Sequence, residues 1–334
     1  MRYDAILWVS FGGPEKEEDV IPFLENVLRG KNVPRERMLA VAEHYRHFGG
    51  RSPINQQNRE LICALEAELE AHGPHLPVYW GNRNWHPLLP DTVVRMKADG
   101  VKRALAFVTS AYSSYSGCRQ YLENIADARA AAGEGALAID KIRPFYNHPL
   151  YIAAMAEQVS EALSLIPAER RSAVHIVYTA HSIPLRMAES CQYEQQLLEA
   201  SGLVSAAFGR TADPLVYQSR SGPPTQPWLG PDILEHLKSV GSNGQVRDVA
   251  IVPLGFVSDH MEVLYDLDTE GRRLCEELGL NMVRAAAVGT HPGFARMVRE
   301  LIVERMEENS ARPSLGSQGP WPDVCPAGCC LPRS

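Results

Sequence analysis

The chain has 334 residues, of which 45% are hydrophobic and 22% are charged, and its formal net charge is −7. This length predicts two domains, and the composition is that of a globular protein. The acidic balance gives no indication of a basic nucleic-acid-binding surface or a polybasic membrane anchor. The N-terminal run MRYDAILWVSFGGP is too short to span a bilayer and lacks a signal-peptide cleavage site. We therefore expect a first core strand and a cytoplasmic protein.

Short apolar runs alternate with amphipathic segments along the chain. The runs predict strands at residues 5–11, 77–80, 104–108, 174–179, 215–218, 249–254 and 282–288. Helical periodicity is found at residues 55–71, 150–165, 191–201 and 294–308. This alternation predicts an α/β fold with two doubly wound, Rossmann-like domains and parallel sheets, over residues 1–145 and 146–309.

The last 25 residues, 310–334, differ in composition from the rest of the chain. They are rich in Pro, Gly and Ser and have no hydrophobic period, which is typical of a disordered tail. The exception is the cysteines, because three of the seven lie here. An odd, unevenly spaced set argues against a disulfide framework. The three that lie within helical patterns are expected to be small hydrophobic residues: Cys63, Cys191 and Cys275.

A histidine follows the strand predicted at 174–179. His181 lies in the segment TAHSIP, at the carboxyl end of that strand, where α/β proteins assemble their ligand sites. The alternative is a histidine whose ring is satisfied by backbone groups at the strand end. Position alone does not separate these two interpretations.

A row of carboxylates follows the strand predicted at 249–254. A helix that starts near Ser258 or Asp259 would place Glu262, Asp266 and Glu270 four residues apart on one face. Like charges at this spacing repel, and a bound cation would remove that cost. The alternative is a capping box formed by Asp259 and Glu262. It does not explain the two later acids, which lie beyond the first helical turn.

Three further segments are rich in residues that shape sites, and several common motifs are missing. FGGRSPIN is a glycine-rich turn before a helix, SAYSSYSGCRQY is dense in hydroxyl groups and aromatic rings, and SRSGPPTQPWLGP is a proline-rich loop. The sequence contains no P-loop, no GxGxxG and no GxSxG. This excludes the commonest nucleotide-binding and acyl-transfer sites of doubly wound folds.

Together these segments closely resemble the ferrochelatases, which insert Fe²⁺ into a porphyrin during haem synthesis. The matching pieces are SFGGP, FGGRSPIN, GNRNWHP, TAHSIP, QSRSGPP and GFVSDHMEVLYDLD, in the order of the family and over about residues 3–305. Their details are most similar to the actinobacterial members. The resemblance implies a chelatase fold with a porphyrin cleft between the two domains, and coproporphyrin III as the substrate.

The resemblance also implies roles for individual residues. His181 would bind the metal and accept a pyrrole proton, and Glu262 would oppose it across the cleft. Asp266 and Glu270 would continue an acidic path for iron to the surface. The porphyrin contacts would come from Ser52, Tyr121 and Arg29.

One position departs from the pattern of the family. Many coproporphyrin-type members carry in the first loop a tyrosine that can ligate the product iron, whereas this chain has Phe11. A phenyl ring has no ligand atom, so axial ligation by this residue is excluded. An apolar face around Phe11, Trp85 and Trp228 is expected to contact the macrocycle.

The clustered cysteines suggest a second metal site, separate from the one at His181 and Glu262. Some ferrochelatases hold a [2Fe–2S] cluster with one internal cysteine and three near the C-terminus. Cys118 falls at the internal position, and Cys325, Cys329 and Cys330 supply the other three thiolates. A tetrahedral zinc site and a reactive tail without metal are the alternatives.

The residue types suit metal insertion. A neutral imidazole can accept a proton or bind Fe²⁺ near neutral pH, and a carboxylate also suits this ion. Protoporphyrin IX as the substrate, a cobalt or nickel chelatase of the same fold, and a non-catalytic haem or metal carrier remain alternatives. A carrier would favour a closed ligand set.

Overall fold

The computed structural model describes residues 2–31, 33–223 and 225–331, and the strands in this part of the chain form two parallel sheets. The first sheet has the order β2-β1-β3-β4 and the second the order β6-β5-β7-β8. The strands are β1 (Ala5–Ser10), β2 (Val78–Asn82), β3 (Arg103–Val108), β4 (Ala138–Lys141), β5 (His175–His181), β6 (Leu215–Gln218), β7 (Asp248–Val252) and β8 (Asn281–Arg284). The predicted α/β class with two parallel sheets is confirmed.

Helices cover the sheets and connect their strands. In the first half they are α1 (Glu17–Leu28), α2 (Arg35–His47), α3 (Ile54–His72), α4 (Leu89–Ala98), the π-helix Tyr115–Arg119 and α5 (Gln120–Ala131). In the second half they are α6 (Pro149–Ser164), the 3-10 helix Ala168–Ala173, α7 (Leu185–Ala188), α8 (Tyr193–Ala206), α9 (Ile233–Ser242), α10 (Met261–Val263), the π-helix Leu264–Gly271, α11 (Arg272–Glu277) and α12 (Pro292–Met306). The four predicted helices are confirmed as α3, α6, α8 and α12.

Two strand predictions need correction. The sequence gives no apolar run for β4, because its residues AIDK are mixed in character and it is an edge strand of the first sheet. The last predicted strand is too long, since residues 285–288 leave the sheet after β8. Within the described residues, no helix has both the length and the hydrophobicity needed to cross a bilayer.

The last helix, α12, joins the two halves. It packs against both α3 and α6. Its Glu304 carboxylate accepts two hydrogen bonds from the Arg143 guanidinium, at 2.8 and 2.9 Å, and both side chains are buried. The chain therefore returns to the first half after completing the second sheet. The division into residues 1–145, 146–309 and 310–334 stays a prediction.

The prediction of a disordered tail is wrong for residues 310–331. The Leu315 N–H donates to the Asn147 carbonyl at 2.8 Å, and the Asn147 side chain donates to the Gly319 carbonyl at 2.9 Å. The Arg312 side chain donates to Glu304 at 3.0 Å and to Asp323 at 3.1 Å. A segment without hydrophobic periodicity is held here by polar contacts to the domains, which composition alone does not reveal.

We expect the buried His148, the N-cap of α6, to make folding depend on pH. Burial, and then Arg143, lower its pKa to about 4. Its reference pKa is about 6.5. The unfolded chain therefore binds the extra proton between these values, so the free energy of unfolding falls as the pH falls through them. The expected loss is about 2 kcal/mol between pH 7 and pH 5.

His148→Asn keeps a side-chain acceptor for the Leu150 N–H, which His148 Nδ1 accepts at 3.3 Å, and removes the titrating ring. Urea unfolding at a series of pH values should show a flatter profile for this variant than for His75→Asn, which alters an exposed histidine. Equal slopes for the two variants would contradict the assignment.

Candidate active site

His181 is the last residue of β5, and hydrogen bonds fix both its backbone and its ring. The Gly255 N–H donates to the Thr179 carbonyl at 3.0 Å, and a Cβ on Gly255 would lie 2.7 Å from the Ala180 Cα. The Tyr193 hydroxyl donates to the His181 carbonyl at 3.0 Å. His181 Nδ1 lies 2.5 Å from the Ser182 carbonyl, which can only accept, so this nitrogen carries the proton. Nε2 is therefore the ring nitrogen that points away from this backbone contact.

This second ring nitrogen faces a carboxylate from the neighbouring strand. His181 Nε2 lies 3.6 Å from Glu262 Oε2, and the two side chains are 33% and 48% exposed. Glu262 is in α10, which follows β7, and β7 pairs with β5 in the sheet. An imidazole and a carboxylate therefore meet at the carboxyl edge of the second sheet, open to solvent.

The expectation that this pair lies on opposite sides of a porphyrin cleft is wrong. A flat macrocycle needs about 3.5 Å of contact distance on each face. It cannot fit between His181 and Glu262 atoms that are 3.6 Å apart. Both groups must approach a ring from the same side. A cation with bonds of about 2.1 Å to nitrogen and oxygen fits between them.

The capping-box alternative is also wrong, because the helix starts later than this alternative requires. The N-cap is His260, without a side-chain cap hydrogen bond, and α10 begins at Met261. The Asp259 carboxylate instead accepts from Arg284 Nη1 at 3.0 Å, and the same arginine donates through Nε to Asp268 at 2.9 Å. Asp259 and Asp268 are thus neutralised by one arginine, which leaves Glu262 outside any cap.

The later carboxylates lie in the π-helix Leu264–Gly271 that continues α10. Asp266 accepts from the Ser219 hydroxyl and, at 3.2 Å, from the Gln218 amide. Burial raises the pKa of Asp266 to about 7, and the charges of Glu262 and Glu270 also raise it, against those hydrogen bonds. The three acids therefore interact, as the spacing predicts, and Asp266 is poised to exchange a proton near neutral pH.

Two further histidines border this acidic row. Burial lowers the pKa of His260, on which the charges of Glu262 and His181 also act. His44 of α2 stacks on Tyr265 with ring centroids 3.7 Å apart, and burial lowers its pKa against the charges of Glu270 and Glu262. Sequence reasoning missed both. His260 is in the segment SDHME beside Glu262, whereas nothing in the sequence signals that α2 reaches the second half.

An arginine missed by sequence reasoning joins Tyr121 and Phe11. The Arg83 guanidinium lies 5.6 Å from the Tyr121 ring and 5.8 Å from the Phe11 ring. Burial lowers the pKa of Arg83. The charge of Glu123 raises the pKa of Arg83 in the opposite sense. Glu123 itself forms an ion pair with Arg119 at 3.3 Å and accepts a hydrogen bond from the Tyr115 hydroxyl at 2.9 Å. The segment GNRNWHP, which contains Arg83, was the available signal.

Ser52 is buried beside the loop that follows β1, whereas Arg29 is exposed at the end of α1. Ser52 is buried, its N–H donates to the Pro14 carbonyl at 2.9 Å, and a Cβ on Gly13 would lie 3.0 Å from its Oγ. Arg29 follows α1, is exposed, and donates to the Asn26 side chain at 2.5 Å. The structure therefore brings Ser52 to the first loop but does not bring Arg29 into contact with Ser52 or Tyr121.

The aromatic residues expected around the macrocycle come from both halves of the chain. Trp85 packs edge-on against Phe23, with centroids 6.2 Å apart, and joins the cluster of α1 and α2 near Phe11. Trp228 belongs to the other half, where a Cβ on Gly222 would lie 2.3 Å from its ring nitrogen. The two tryptophans are thus fixed by separate loops.

The cysteines at 118, 325, 329 and 330 converge. The hydrogen bond to Cys325, followed by burial, raises the pKa of Cys118, and the same bond lowers the pKa of Cys325. The Cys329 and Cys330 sulfurs are 3.4 Å apart, and the charge of Cys118 acts on Cys330. In residues 2–31, 33–223 and 225–331, no three His, Cys, Asp or Glu side chains are already arranged as a metal-binding group.

Comparison with known proteins decides the family. The family model described as ferrochelatase matches residues 3–306. The chain belongs to the ferrochelatase family. A ferrochelatase of Rhodopirellula baltica is 57% identical over 98% of this chain and 93% of its own length. The coproporphyrin III ferrochelatase of Mycolicibacterium smegmatis is 50% identical over 96% of this chain and 94% of its own length. That of Nocardia farcinica is 47% identical over 100% of this chain and 98% of its own length.

Solved structures agree on the fold of this family member. The sirohydrochlorin chelatase SirB of Bacillus subtilis subspecies spizizenii, in complex with cobalt, has a TM-score of 0.54 at 14% identity, with 92% of this chain and 98% of that chain covered. SirB from Bacillus subtilis with Fe³⁺ has a TM-score of 0.55 at 13% identity, covering 92% and 99%. These likenesses show the chelatase fold and nothing about the substrate. The resemblance read from the motifs is confirmed, and the chain is an enzyme of this family.

Proposed function

We propose that the chain inserts Fe²⁺ into coproporphyrin III in haem biosynthesis, with His181 and Glu262 binding the metal and accepting the pyrrole protons. The observation that carries this proposal is the 3.6 Å separation of His181 Nε2 and Glu262 Oε2 at the end of the second sheet. The relatives named as coproporphyrin III ferrochelatases support the choice of porphyrin. The metal is a substrate here, and an open two-ligand site suits an ion that must be released.

Insertion replaces two pyrrole N–H protons by one Fe²⁺, so two protons must leave the ring. The Ser182 carbonyl keeps the proton of His181 on Nδ1, which leaves Nε2 to accept one of them. Glu262 accepts the other, and desolvation lowers the pKa of His260, which disfavours a competing positive charge beside it. Both groups lie on the same side of the macrocycle, so metal delivery and proton removal share that face.

Asp266 and Glu270 extend this site away from His181. Because the pKa of Asp266 is raised to about 7, chiefly by burial, it can bind and release protons under ordinary conditions. A row of interacting carboxylates also attracts a divalent cation. We assign Asp266 and Glu270 to the delivery of iron to Glu262. His44, stacked on Tyr265, lies beside this row of carboxylates.

The first half would hold the porphyrin. Arg83 is a cation among the aromatic rings of Phe11 and Tyr121, which suits a propionate above an apolar surface. Ser52 and Arg29 remain proposed propionate or macrocycle contacts. Distorting the macrocycle so that its lone pairs point outward costs about 1–5 kcal/mol, drawn from such remote binding. Phe11 offers no ligand to the product iron.

We expect Glu262→Gln to lower the insertion rate about 10²–10⁴-fold, the usual effect of removing an acid–base group. The amide keeps the size of the side chain but neither accepts a proton nor provides an anionic ligand. Porphyrin affinity, measured by fluorescence quenching, should change little, because Glu262 is 48% exposed and its proposed partner is the metal and not the macrocycle. An equal loss of rate and affinity would make its role structural. Glu277→Gln, on the exposed face of α11, is the matched control.

The porphyrin assignment needs a direct comparison. Purified enzyme should insert Fe²⁺ into coproporphyrin III with a higher kcat/KM than into protoporphyrin IX. The same assay with Co²⁺ and Ni²⁺ tests the metal alternatives. A preference for protoporphyrin IX would overturn the porphyrin assignment, and binding of haem without insertion would overturn the enzymatic proposal itself.

We also propose that a [2Fe–2S] cluster is held by the thiolates of Cys118, Cys325, Cys329 and Cys330. The support is their convergence, since such a cluster takes four thiolates. Arg119 Nη1 donates to the Ala327 carbonyl at 2.8 Å and so fastens the tail beside Cys118. When bound, the cluster would supply a one-electron redox group, and the cysteines would tie the tail to the π-helix Tyr115–Arg119.

Freshly purified protein should be reddish brown, with visible absorption, two iron atoms and two acid-labile sulfides per chain. Cys118→Ala should abolish the colour, whereas Cys63→Ala, which changes an exposed cysteine, should keep it. Colourless protein that carries zinc would contradict the cluster and favour the tetrahedral site.

A further inference from the structure

The peptide group between His181 and Ser182 is held at both ends. The Ser182 N–H donates to the Gln218 carbonyl of β6 at 2.8 Å, and the Tyr193 hydroxyl donates to the His181 carbonyl at 3.0 Å. The N–H and C=O of a trans peptide point in opposite directions, so this carbonyl faces away from β6. The orientation of the residue that carries the insertion imidazole therefore depends on a side chain from α8.

The phenol takes the place that a backbone donor has further back along β5. The register between β5 and β7 runs up to the pair of Tyr178 and Val252. Beyond it, on the same side, the Gly255 N–H donates to the Thr179 carbonyl at 3.0 Å. The next carbonyl on this side of the strand belongs to His181, two residues further on. A side-chain hydroxyl thus completes β5 at the point where the chain after β7 turns away.

The Tyr193 side chain is itself fixed in the core. It is 7% exposed, and its ring packs edge-on against Tyr112, with centroids 6.1 Å apart. The Tyr112 hydroxyl donates to the Leu254 carbonyl at 3.1 Å, just before Gly255. Burial raises the pKa of Tyr193, so its hydroxyl keeps the proton that it donates. The tyrosine therefore acts as a fixed hydrogen-bond donor to His181.

The helix that carries Tyr193 has two further anchors, at intervals of three residues. Gln196 accepts from the Ser113 N–H of the first half at 2.7 Å. Glu199 accepts from the Ser317 N–H of the tail at 2.6 Å. Residues three apart lie near one face of a helix, so the insertion histidine, the first half and the tail are all tied to this face of α8. A shift of α8 would have to break these bonds together.

We propose that Tyr193 is a positioning residue for iron insertion, because its hydroxyl holds the His181 carbonyl and thereby aims Nε2 at Glu262. The inference rests on the insertion role of His181 proposed above and deepens it. Nε2 lies 3.6 Å from Glu262 Oε2, and Nδ1 lies 2.5 Å from the Ser182 carbonyl. Both distances depend on the orientation of the peptide that Tyr193 holds. Without the hydroxyl this peptide can rotate, and the ring spends less time facing the metal.

The test compares Tyr193→Phe with Tyr178→Phe in the full-length chain. Both changes keep a buried ring and remove one hydroxyl, and that of Tyr178, on the same strand, lies 3.0 Å from Ser205 Oγ. Tyr193→Phe should lower kcat for insertion about tenfold, because small misplacements of a reacting group are costly. Its KM for Fe²⁺ should rise, whereas its KM for coproporphyrin III should stay unchanged. Tyr178→Phe should keep kcat within about twofold of wild type, because the strand end is unaltered.

NMR of isotope-labelled histidine rings gives a readout that does not depend on turnover. The His181 signals, assigned by their loss in His181→Ala, should show the Nδ1–H tautomer in wild type and in Tyr178→Phe. Tyr193→Phe should show a mixture of tautomers, although urea unfolding should give similar midpoints for the two phenylalanine variants.

Equal kcat values for the two phenylalanine variants, or an unchanged His181 tautomer in Tyr193→Phe, would overturn the positioning role and leave insertion by the wild type standing. A wild type that inserts no iron would overturn the proposed function. The tautomer comparison would then still decide whether Tyr193 holds the His181 ring.

Discussion

His181→Ala is expected to abolish iron insertion while the protein still folds and still binds porphyrin. The change removes both the nitrogen ligand and the proton acceptor, and loss of a general base alone costs about 10²–10⁴-fold in rate. His181 is only 33% solvent-exposed but lies at the edge of the sheet, and its Nε2 faces the open side chain of Glu262. Its removal therefore leaves a space that opens to solvent and not a sealed core cavity.

Three measurements separate the catalytic role from a structural one. Stopped-flow or endpoint assays give the insertion rate, tryptophan fluorescence gives porphyrin affinity, and urea unfolding gives stability. Because the space is open, added imidazole should restore part of the rate in His181→Ala. His75→Ala, at an exposed position, should behave like wild type. Wild-type insertion by His181→Ala would refute the mechanism.

Glu304→Gln is expected to destabilise the protein by about 3–5 kcal/mol, the usual cost of leaving one member of a buried ion pair without its partner. Arg143 and Glu304 have side-chain exposures of 0% and 3%, so water cannot replace the lost charge. Arg312 also loses its ion pair with this carboxylate, which loosens the start of the tail. A loss of this size is a large part of the 5–15 kcal/mol that is usual for folded proteins.

Urea denaturation should show a lower midpoint for Glu304→Gln with an unchanged slope. Glu277→Gln removes the partner of Arg273 in a pair whose side chains are 73% and 62% exposed, and it should cost less than about 1 kcal/mol. Replacing both members, by Arg143→Met with Glu304→Leu, should recover most of the stability because no unpaired charge remains. Equal midpoints for the two single glutamine variants would contradict the assignment.

Much of this protein could be predicted from sequence because the decisive signals are local. Continuous apolar runs mark strands that are covered on both faces, and β5 and β7 were found in this way. Residues just after such strands meet at one edge of a parallel sheet, which is why His181 and Glu262 could be singled out. The motifs then identified the family, since most of them combine a strand end with specific side chains.

Tertiary structure alone decided how distant segments meet. The 3.6 Å contact between His181 and Glu262 depends on the pairing of β5 with β7. His44 reaches the acidic row because α2 crosses to the second half, and the tail is ordered by polar contacts that have no sequence period. Such contacts join residues far apart in the chain, and their energies depend on burial, which only the folded chain defines.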